Sequence, residues 1–216
     1  MPTDSAALLT LAQWLSPAFP VGAFSYSHGL ERAVEAGDVT DVPGFQDWLG
    51  CVLTEGAGRN DAILLVSAYG APDQRTVREI DTLARALAPS RERLKETTLQ
   101  GAAFARTASD IWPLHLSDLT YPVAVGVGAR ALDLLLADTL LMYLHGLASN
   151  LTSAAIRLVP LGQTAGQATL AAMAPRCSDL AAQAQTQTLD DLGACAFMAD
   201  IASMKHETQY SRLFQS

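Results

Sequence analysis

One stretch decides the fold of this chain: residues 132–159 read LDLLLADTLLMYLHGLASNLTSAAIRLV and are followed by Pro160. The polar residues in it recur at intervals of seven and four, so they form one narrow stripe on a helix that is otherwise apolar. The members of this stripe are Asp138, His145, Ser149, Ser153 and Arg157. The pattern predicts a central buried helix from about Asp133, its N-cap, to Val159, because Pro160 cannot continue the helix.

This stretch is also long enough to cross a bilayer, so a membrane span has to be considered. His145, Asn150 and Arg157 interrupt it, and an arginine near the bilayer centre costs about 2.5 to 3.5 kcal/mol on insertion scales. We therefore expect a core helix of a soluble protein without membrane contact, in which His145 is a hydrogen-bonded core residue.

The composition favours helices over strands throughout the chain. Half of the 216 residues are hydrophobic but only 6% are aromatic, and the abundance of alanine and leucine suits helices. No Ser/Gly/Pro-rich linker or block of charge divides residues 1–216. The sequence therefore predicts a single-domain, all-α bundle around the helix at 133–159.

The charges and the cysteines exclude some classes of partner and compartment. Acidic residues outnumber basic ones by 22 to 14, and because phosphate binding draws on clustered Lys and Arg, we expect no nucleic-acid partner. Cys51, Cys177 and Cys195 are widely separated and odd in number, which is typical of a reduced chain. The first residues lack the basic region of a signal peptide. These features together predict a cytoplasmic protein.

Two further segments carry local predictions. Residues 121–132 read YPVAVGVGARAL, which alternates like a strand but has the small residues of a close-packed helix. The helix is favoured because no partner strand is visible elsewhere. Thr164 and Gln167 fit a capping box, and the helix that follows is expected to be interrupted near Pro175.

No motif for catalysis, cofactor binding or metal binding is apparent. The four histidines form no HxxxH, HxH or Cys/His pair. Ser25 lies in GAFSY rather than in a GxSxG turn, and no phosphate-binding glycine loop is present. We expect a protein that is not an enzyme and has no catalytic residue, cofactor or metal site, with His206 a solvated residue beside Glu207.

The C-terminal tail, residues 200–216, differs in character from the rest of the chain. It reads DIASMKHETQYSRLFQS, in which acidic, basic, aromatic and apolar side chains alternate without a long apolar face. A terminus of this kind is often loose until a partner orders it. We therefore expect a partner-ordered tail.

Three blocks of sequence match a known pattern. Residues 15–37 read LSPAFPVGAFSYSHGLERAVEAG, residues 121–167 run from YPVAVGVGARAL to SAAIRLVPLGQTAGQ, and residues 200–214 read DIASMKHETQYSRLF. In this order, and across essentially the whole chain, they resemble the urease accessory protein UreF family. The first and third blocks are specific, because loops and tails have no packing reason to look alike.

The resemblance implies an all-α protein that dimerises and binds the accessory protein UreD, also called UreH. Through that complex it would recruit the GTPase UreG and help to gate GTP hydrolysis while nickel is delivered to apo-urease. Such a protein is a scaffold and regulator rather than a catalyst. The nucleotide chemistry would belong to its partner.

The resemblance also implies two candidate partner surfaces. The residues on the UreD/UreH side lie in the tail and are Lys205, His206, Glu207, Gln209, Tyr210 and Arg212. The residues of a UreG or dimer surface follow the SYS-x-GLE pattern or lie after Pro160, and are Tyr26, Ser27, Gly29, Glu31, Gln163 and Gln167. The chain departs from the family pattern at Ala23, His28 and Met204-Lys205. Lys205 stands where the family often has arginine, and lysine keeps the positive charge but cannot donate two parallel hydrogen bonds as a guanidinium group does.

A second hypothesis comes from another class of protein. His28, His206 and Glu207 are potential metal ligands, so the chain would then bind and carry nickel itself. Nickel binding by the isolated chain, lost in His206→Ala, distinguishes this alternative from a scaffold.

Overall fold

The chain folds into helices joined by short connections, and the computed structural model describes residues 5–116 and 118–216. The helices are α1 (Ser5–Trp14), α2 (Leu30–Ala36), α3 (Val42–Thr54), α4 (Ala57–Tyr69), α5 (Gln74–Ala86), α6 (Arg91–Ile111), α7 (Tyr121–Ala131), α8 (Leu136–Leu158), α9 (Gln163–Ala184) and α10 (Phe197–His206). Short 3₁₀ turns lie at Ala23–Ser25 and Leu189–Asp191. No strand occurs in the part of the chain that the structure describes, and the prediction of an all-α fold is confirmed.

The core is built around α4, α7 and α8. Helix α4 packs along α7, α8 packs along α9, and α6 covers the other side of α7. The close crossing of α4 and α7 depends on the small residues of α7, because a Cβ atom at Gly126 would lie 2.5 Å from the carbonyl oxygen of Leu65. The segment at 121–132 is therefore a helix, as predicted. Its small side chains serve packing between two buried helices.

Aromatic side chains close one end of this core. Trp14 of α1 stands edge-on to Phe104 of α6, with ring centroids 4.9 Å apart, and to Trp112, with centroids 5.5 Å apart. Such edge-to-face pairs contribute about 0.5 to 1.5 kcal/mol each beyond their buried area. Helix α1 is therefore attached to the bundle mainly through Trp14.

The predicted start of the central helix is wrong. Asp133 has a left-handed backbone with φ of 53°, and the amides at 133 and 134 donate to the carbonyl oxygens of Arg130 and Ala129. This geometry is a left-handed cap that ends α7. Helix α8 begins at Leu136 without a side-chain cap.

The polar stripe of α8 faces solvent rather than a neighbouring helix. His145, Ser153 and Arg157 are exposed, whereas Leu140 and Leu144 on the opposite face are fully buried. The expectation that His145 is a core residue is therefore wrong. A stripe shows which side chains share a face, but not whether that face is covered.

Two predictions about α9 are also wrong. Helix α9 begins after Gly162 without a side-chain cap, so Thr164 and Gln167 form no capping box. The helix also continues through Pro175 without interruption. Pro175 and Ala171, whose carbonyl loses its helical donor, are both exposed, so water can satisfy that carbonyl.

Across the described residues, no helix combines sufficient length and apolar character to traverse a bilayer.

Candidate partner-binding site

The C-terminal segment folds back over the loop that precedes α2. Helix α10 packs against α2 and α6, and the chain beyond it runs alongside residues 25–31. The amide of Gln215 donates to the carbonyl oxygen of Ser25 at 2.7 Å, and the amide of Ser27 donates to the carbonyl oxygen of Ser216 at 2.9 Å. The Ser27 hydroxyl donates to the same oxygen. The tail and the SYSHGLE block were predicted as two separate surfaces. Because they contact each other, they form one site, which we call the docked site.

The Glu31 carboxylate is the principal acceptor for the tail. Glu31 lies in the first turn of α2 and is 6% exposed. One of its oxygens accepts the Leu213 amide at 2.7 Å, and the other accepts the Phe214 amide at 2.9 Å and lies 3.1 Å from Nε2 of His206. These donors compensate the carboxylate for its lost hydration. Glu31 thus ties the start of α2 to the end of the chain.

His206 is enclosed between two carboxylates. Its ring is fully buried, with Nε2 3.1 Å from Oε2 of Glu31 and Nδ1 2.7 Å from Oε2 of Glu92. The expectation of a solvated His206 is wrong, because α2 and α6, which are remote in sequence, close over the ring.

Glu92, in the first turn of α6, joins the tail to a third helix. Nη1 of Arg212 donates to Oε1 of Glu92 at 2.9 Å. Beside this pair, the backbone amide of Arg91 donates to Oε1 of Glu207 at 2.8 Å. Carboxylates are favoured at this position because the N-terminus of a helix carries partial positive charge. The start of α6 therefore holds both α10 and the tail.

A second ionic group, formed by His28, Arg93 and Glu96, connects the tail to the core. Nε2 of His28 lies 2.8 Å from Nη1 of Arg93 and 2.9 Å from Oε1 of Glu96, and Arg93 also pairs with Glu96. The Ser216 hydroxyl donates to Oε2 of Glu96 at 3.2 Å. Burial alone would raise the pKa of Glu96, but Arg93 and His28 outweigh burial and lower that pKa to about 2. Glu96 is therefore held as a carboxylate.

The stability of the fold is expected to depend on pH through Glu96. Since its pKa falls from 4.5 to about 2 on folding, the unfolded chain takes up the proton first as the pH decreases. The stabilisation is therefore complete above about pH 4.5 and is lost as the pH approaches 2, a change of about 3 kcal/mol at 1.36 kcal/mol per pKa unit. In Glu96→Gln, the free energy of unfolding, measured in urea, should fall less steeply than in the wild type as the pH is lowered from about 4.5 towards 2.

The matched control is Glu79→Gln, because the Glu79 side chain is exposed on α5 and, among the described residues, its one ion pair is with Arg75. This control should keep the wild-type dependence on pH. An equally steep fall in Glu96→Gln and the wild type would contradict the role given to Glu96.

Gly29 lets α10 approach the start of α2. Its backbone is left-handed, with φ of 83°, which glycine adopts without steric cost. A Cβ atom at this position would lie 2.6 Å from the amide nitrogen of Ser203 and 2.9 Å from the carbonyl oxygen of Ala199. The space between α2 and α10 therefore admits only glycine without a shift of the helices.

A small cavity of about 40 Å³ adjoins the second ionic group. His28, Asp61, Arg93 and Tyr143 contribute to its lining, and the Tyr143 hydroxyl donates to Asp61 at 2.9 Å. Burial raises the pKa of the Asp61 carboxyl group. The volume is sufficient for a few water molecules but far below the several hundred cubic ångströms of a typical ligand pocket.

The structure separates the predicted site residues into three groups. Those buried in the docked site are Tyr26, Ser27, Gly29, Glu31 and His206. Those exposed or half-buried along the tail are Lys205, Glu207, Gln209, Tyr210 and Arg212. The remaining two, Gln163 and Gln167, are exposed at the start of α9, and none of the hydrogen bonds found for the described residues joins them to residues 25–31. They do not belong to the docked site.

Several residues of the site were missed from the sequence. Glu92, Arg93 and Glu96 supply most of its charge, and all three are buried on α6. Their spacing of three and four, in RERLKETTLQ, was the available signal. It also describes an ordinary solvated helix face, so it did not distinguish a buried network from a surface one.

Large apolar side chains of α10 and the tail face solvent beside the docked site. Phe197 is 71% exposed, Met198 65% and Leu213 77%, and Tyr210 is fully exposed. Half of the Met204 surface is also open. Large exposed apolar side chains gathered on one helix and the segment after it are a feature of protein–protein contact surfaces.

The histidines of the site are not arranged around a metal position. Within residues 5–116 and 118–216, no three His, Cys, Asp or Glu side chains are arranged to hold a metal ion. His28 and His206, which motivated the nickel-carrier alternative, hydrogen-bond to carboxylates and a guanidinium group instead. The geometry of the site gives that alternative no support.

The fold and the site define an all-α protein that uses a buried ionic network to hold its own C-terminus and exposes apolar side chains beside it. This combination is typical of a protein-binding domain. Comparison with known families assigns the chain more closely. The family model described as UreF matches residues 39–174, and the chain belongs to the UreF family of urease accessory proteins.

Similar proteins cover the whole chain. The urease accessory protein UreF of Roseobacter denitrificans is 51% identical over 216 residues, which are 100% of this chain and 96% of that protein. The UreF of Cereibacter sphaeroides is 52% identical over 98% of this chain and 100% of its own length, and that of Ruegeria pomeroyi is 49% identical over 100% and 99%. The resemblance inferred from the three sequence blocks is confirmed.

Proposed function

We propose that this protein is a cytoplasmic, non-catalytic scaffold of urease maturation that binds UreD/UreH and recruits and regulates the GTPase UreG during nickel delivery to apo-urease. The observation that carries the proposal is the docked tail. Glu31 and Glu92 hold the backbone and the cationic side chains of the tail inward, so that Tyr210 and Leu213 face outward. A tail fixed in this way presents a preformed apolar surface to a partner.

The proposal extends to the assembly of the complex. The docked tail is the UreD/UreH side, and further contacts from the partner complete the ordering of residues 200–216. We also propose that the chain forms a homodimer and that Gln163 and Gln167, exposed on α9, lie on the surface for UreG or for the second copy. The membership of the chain in a family of urease accessory proteins supports this assignment.

Outward-facing residues of the tail provide the test. A double variant, Tyr210→Ser with Leu213→Ser, is expected to keep the wild-type unfolding midpoint, because both side chains are largely exposed. It should lose at least 10-fold in affinity for cognate UreD, since truncating a contact residue of an interface core typically costs 1 to 2 kcal/mol or more. Unfolding in urea gives the midpoint, and titration calorimetry with UreD, after co-purification with tagged UreD, gives the affinity.

Ile111→Ser is the matched control, because Ile111 is 57% exposed at the end of α6. This control should bind UreD like the wild type. Point variants are preferable to a truncation after Ala199, which would remove the buried Ala202, Ser203 and His206 of α10. Failure of the wild type to capture UreD, or UreG in the presence of UreD, would overturn the proposed function.

A further inference from the structure

A groove runs between α10 and the helices α2 and α3. Its volume is about 340 Å³. Its lining residues come from α2, α3, α10 and the connection between the first two, and are Ala33, Asp38, Val39, Gly44, Asp47, Trp48 and Met198. We call it the acidic groove. No role has been given to it so far.

The floor of the acidic groove is apolar. Ala33 and Val39 are almost fully buried, whereas Met198 at the edge is 65% exposed. Trp48 is half-buried and stacks on Phe45, with ring centroids 6.4 Å apart. A flat aromatic surface beside a flexible thioether accommodates an apolar side chain from another molecule.

The rim of the acidic groove carries unpaired negative charge. Asp38 and Asp47 are both exposed, and neither forms an ion pair within the described part of the chain, whereas the neighbouring Glu35 pairs with Arg32. Two free carboxylates around an apolar floor favour a segment with lysine or arginine. The complementary ligand is therefore apolar at its centre and basic at its edges.

A second copy of this chain does not fit that description. In a two-fold symmetric contact the same patch meets itself, so the carboxylates of Asp38 and Asp47 would face those of the other copy. Like charges brought together in this way disfavour association. Met198 belongs both to this groove and to the exposed apolar side chains of α10, so the groove is continuous with the proposed UreD surface.

We propose that the acidic groove binds a segment of UreD that places an apolar side chain between Trp48 and Met198 and directs lysine or arginine to Asp38 and Asp47. The inference rests on the proposed function and deepens it, because it extends the contact from the tail to α3. It assigns Asp38, Asp47 and Trp48 as residues that determine specificity for a basic partner.

The experiment measures the affinity of the full-length chain for purified cognate UreD at two salt concentrations. A double variant, Asp38→Lys with Asp47→Lys, should bind at least 10-fold more weakly at low salt and lose most of the wild-type dependence on salt. Met198→Ser, which removes an apolar side chain that is 65% exposed at the edge of the groove, should weaken binding about 3- to 10-fold. Deuterium exchange of residues 38–48 should slow when UreD is added to the wild type.

The control variant, Glu79→Lys with Asp110→Lys, makes the same change in net charge at exposed positions of α5 and α6. It should stay within 2-fold of the wild type. If the wild type binds UreD but Asp38→Lys/Asp47→Lys binds equally well, the inference is overturned and the proposed function stands. If that variant only dissociates a homodimer, the groove belongs to a second copy and the inference is again overturned. No UreD binding by the wild type would overturn both.

Discussion

Replacing Glu31 by alanine is expected to release the C-terminal tail. The change leaves the amides of Leu213 and Phe214 and one nitrogen of His206 without their acceptor. Removing one partner of a buried charged pair typically destabilises by about 3 to 5 kcal/mol. We expect a loss of that size for the docked tail, measured as an increase of at least 100-fold in the amide exchange of residues 207–216. Binding of UreD should fall in parallel.

Glu35→Ala is the control on the same helix. Glu35 is half-exposed, and Arg32 is its one ion-pair partner in the described part of the chain, so its removal should change stability by less than about 1 kcal/mol. If Leu213 and Phe214 exchange equally slowly in Glu31→Ala and in the wild type, Glu31 does not hold the tail. The site described above would then be incorrect.

Gly29→Ala should have the second large effect. The left-handed backbone of Gly29 disfavours any Cβ by about 1 to 2 kcal/mol, and the new atom would lie within 3 Å of two backbone atoms of α10. Because backbone atoms cannot rotate away, α10 has to shift, and overpacking of this kind adds about 1 to 3 kcal/mol. The free energy of unfolding in urea should therefore fall by about 2 to 5 kcal/mol.

Gly37→Ala separates the two contributions. Gly37 has nearly the same backbone conformation, with φ of 80°, but a Cβ atom there would meet nothing within 4 Å. It should show only the conformational part, about 1 to 2 kcal/mol. Equal losses in the two variants would mean that the approach of α10 to Gly29 contributes nothing.

The helical character of the chain was predictable because it depends on local patterns. The spacing of apolar residues in 132–159 and the small residues of 121–132 are properties of neighbouring positions. Boundaries were less predictable. Asp133 has the residue type of an N-cap, but the backbone of the preceding helix turns it into the cap that ends α7.

The candidate site was predictable only in part. The tail and the SYSHGLE block were identified by their resemblance to a family, but their contact with each other was not. Gln163 and Gln167 were grouped with that block, and the structure places them elsewhere. The acidic partners from α6 were missed because charged residues at helical spacing are usually solvated.

The sequence by itself determined that this protein is all-α and that it belongs among the UreF proteins, because periodicity and motif identity are carried by the order of residues. Only the tertiary structure decided that His145 faces solvent while His206 is buried between Glu31 and Glu92. The physical reason is that burial and hydrogen bonding depend on which distant segments meet. The two carboxylates reach His206 from 175 and 114 residues away, and no local pattern encodes that contact.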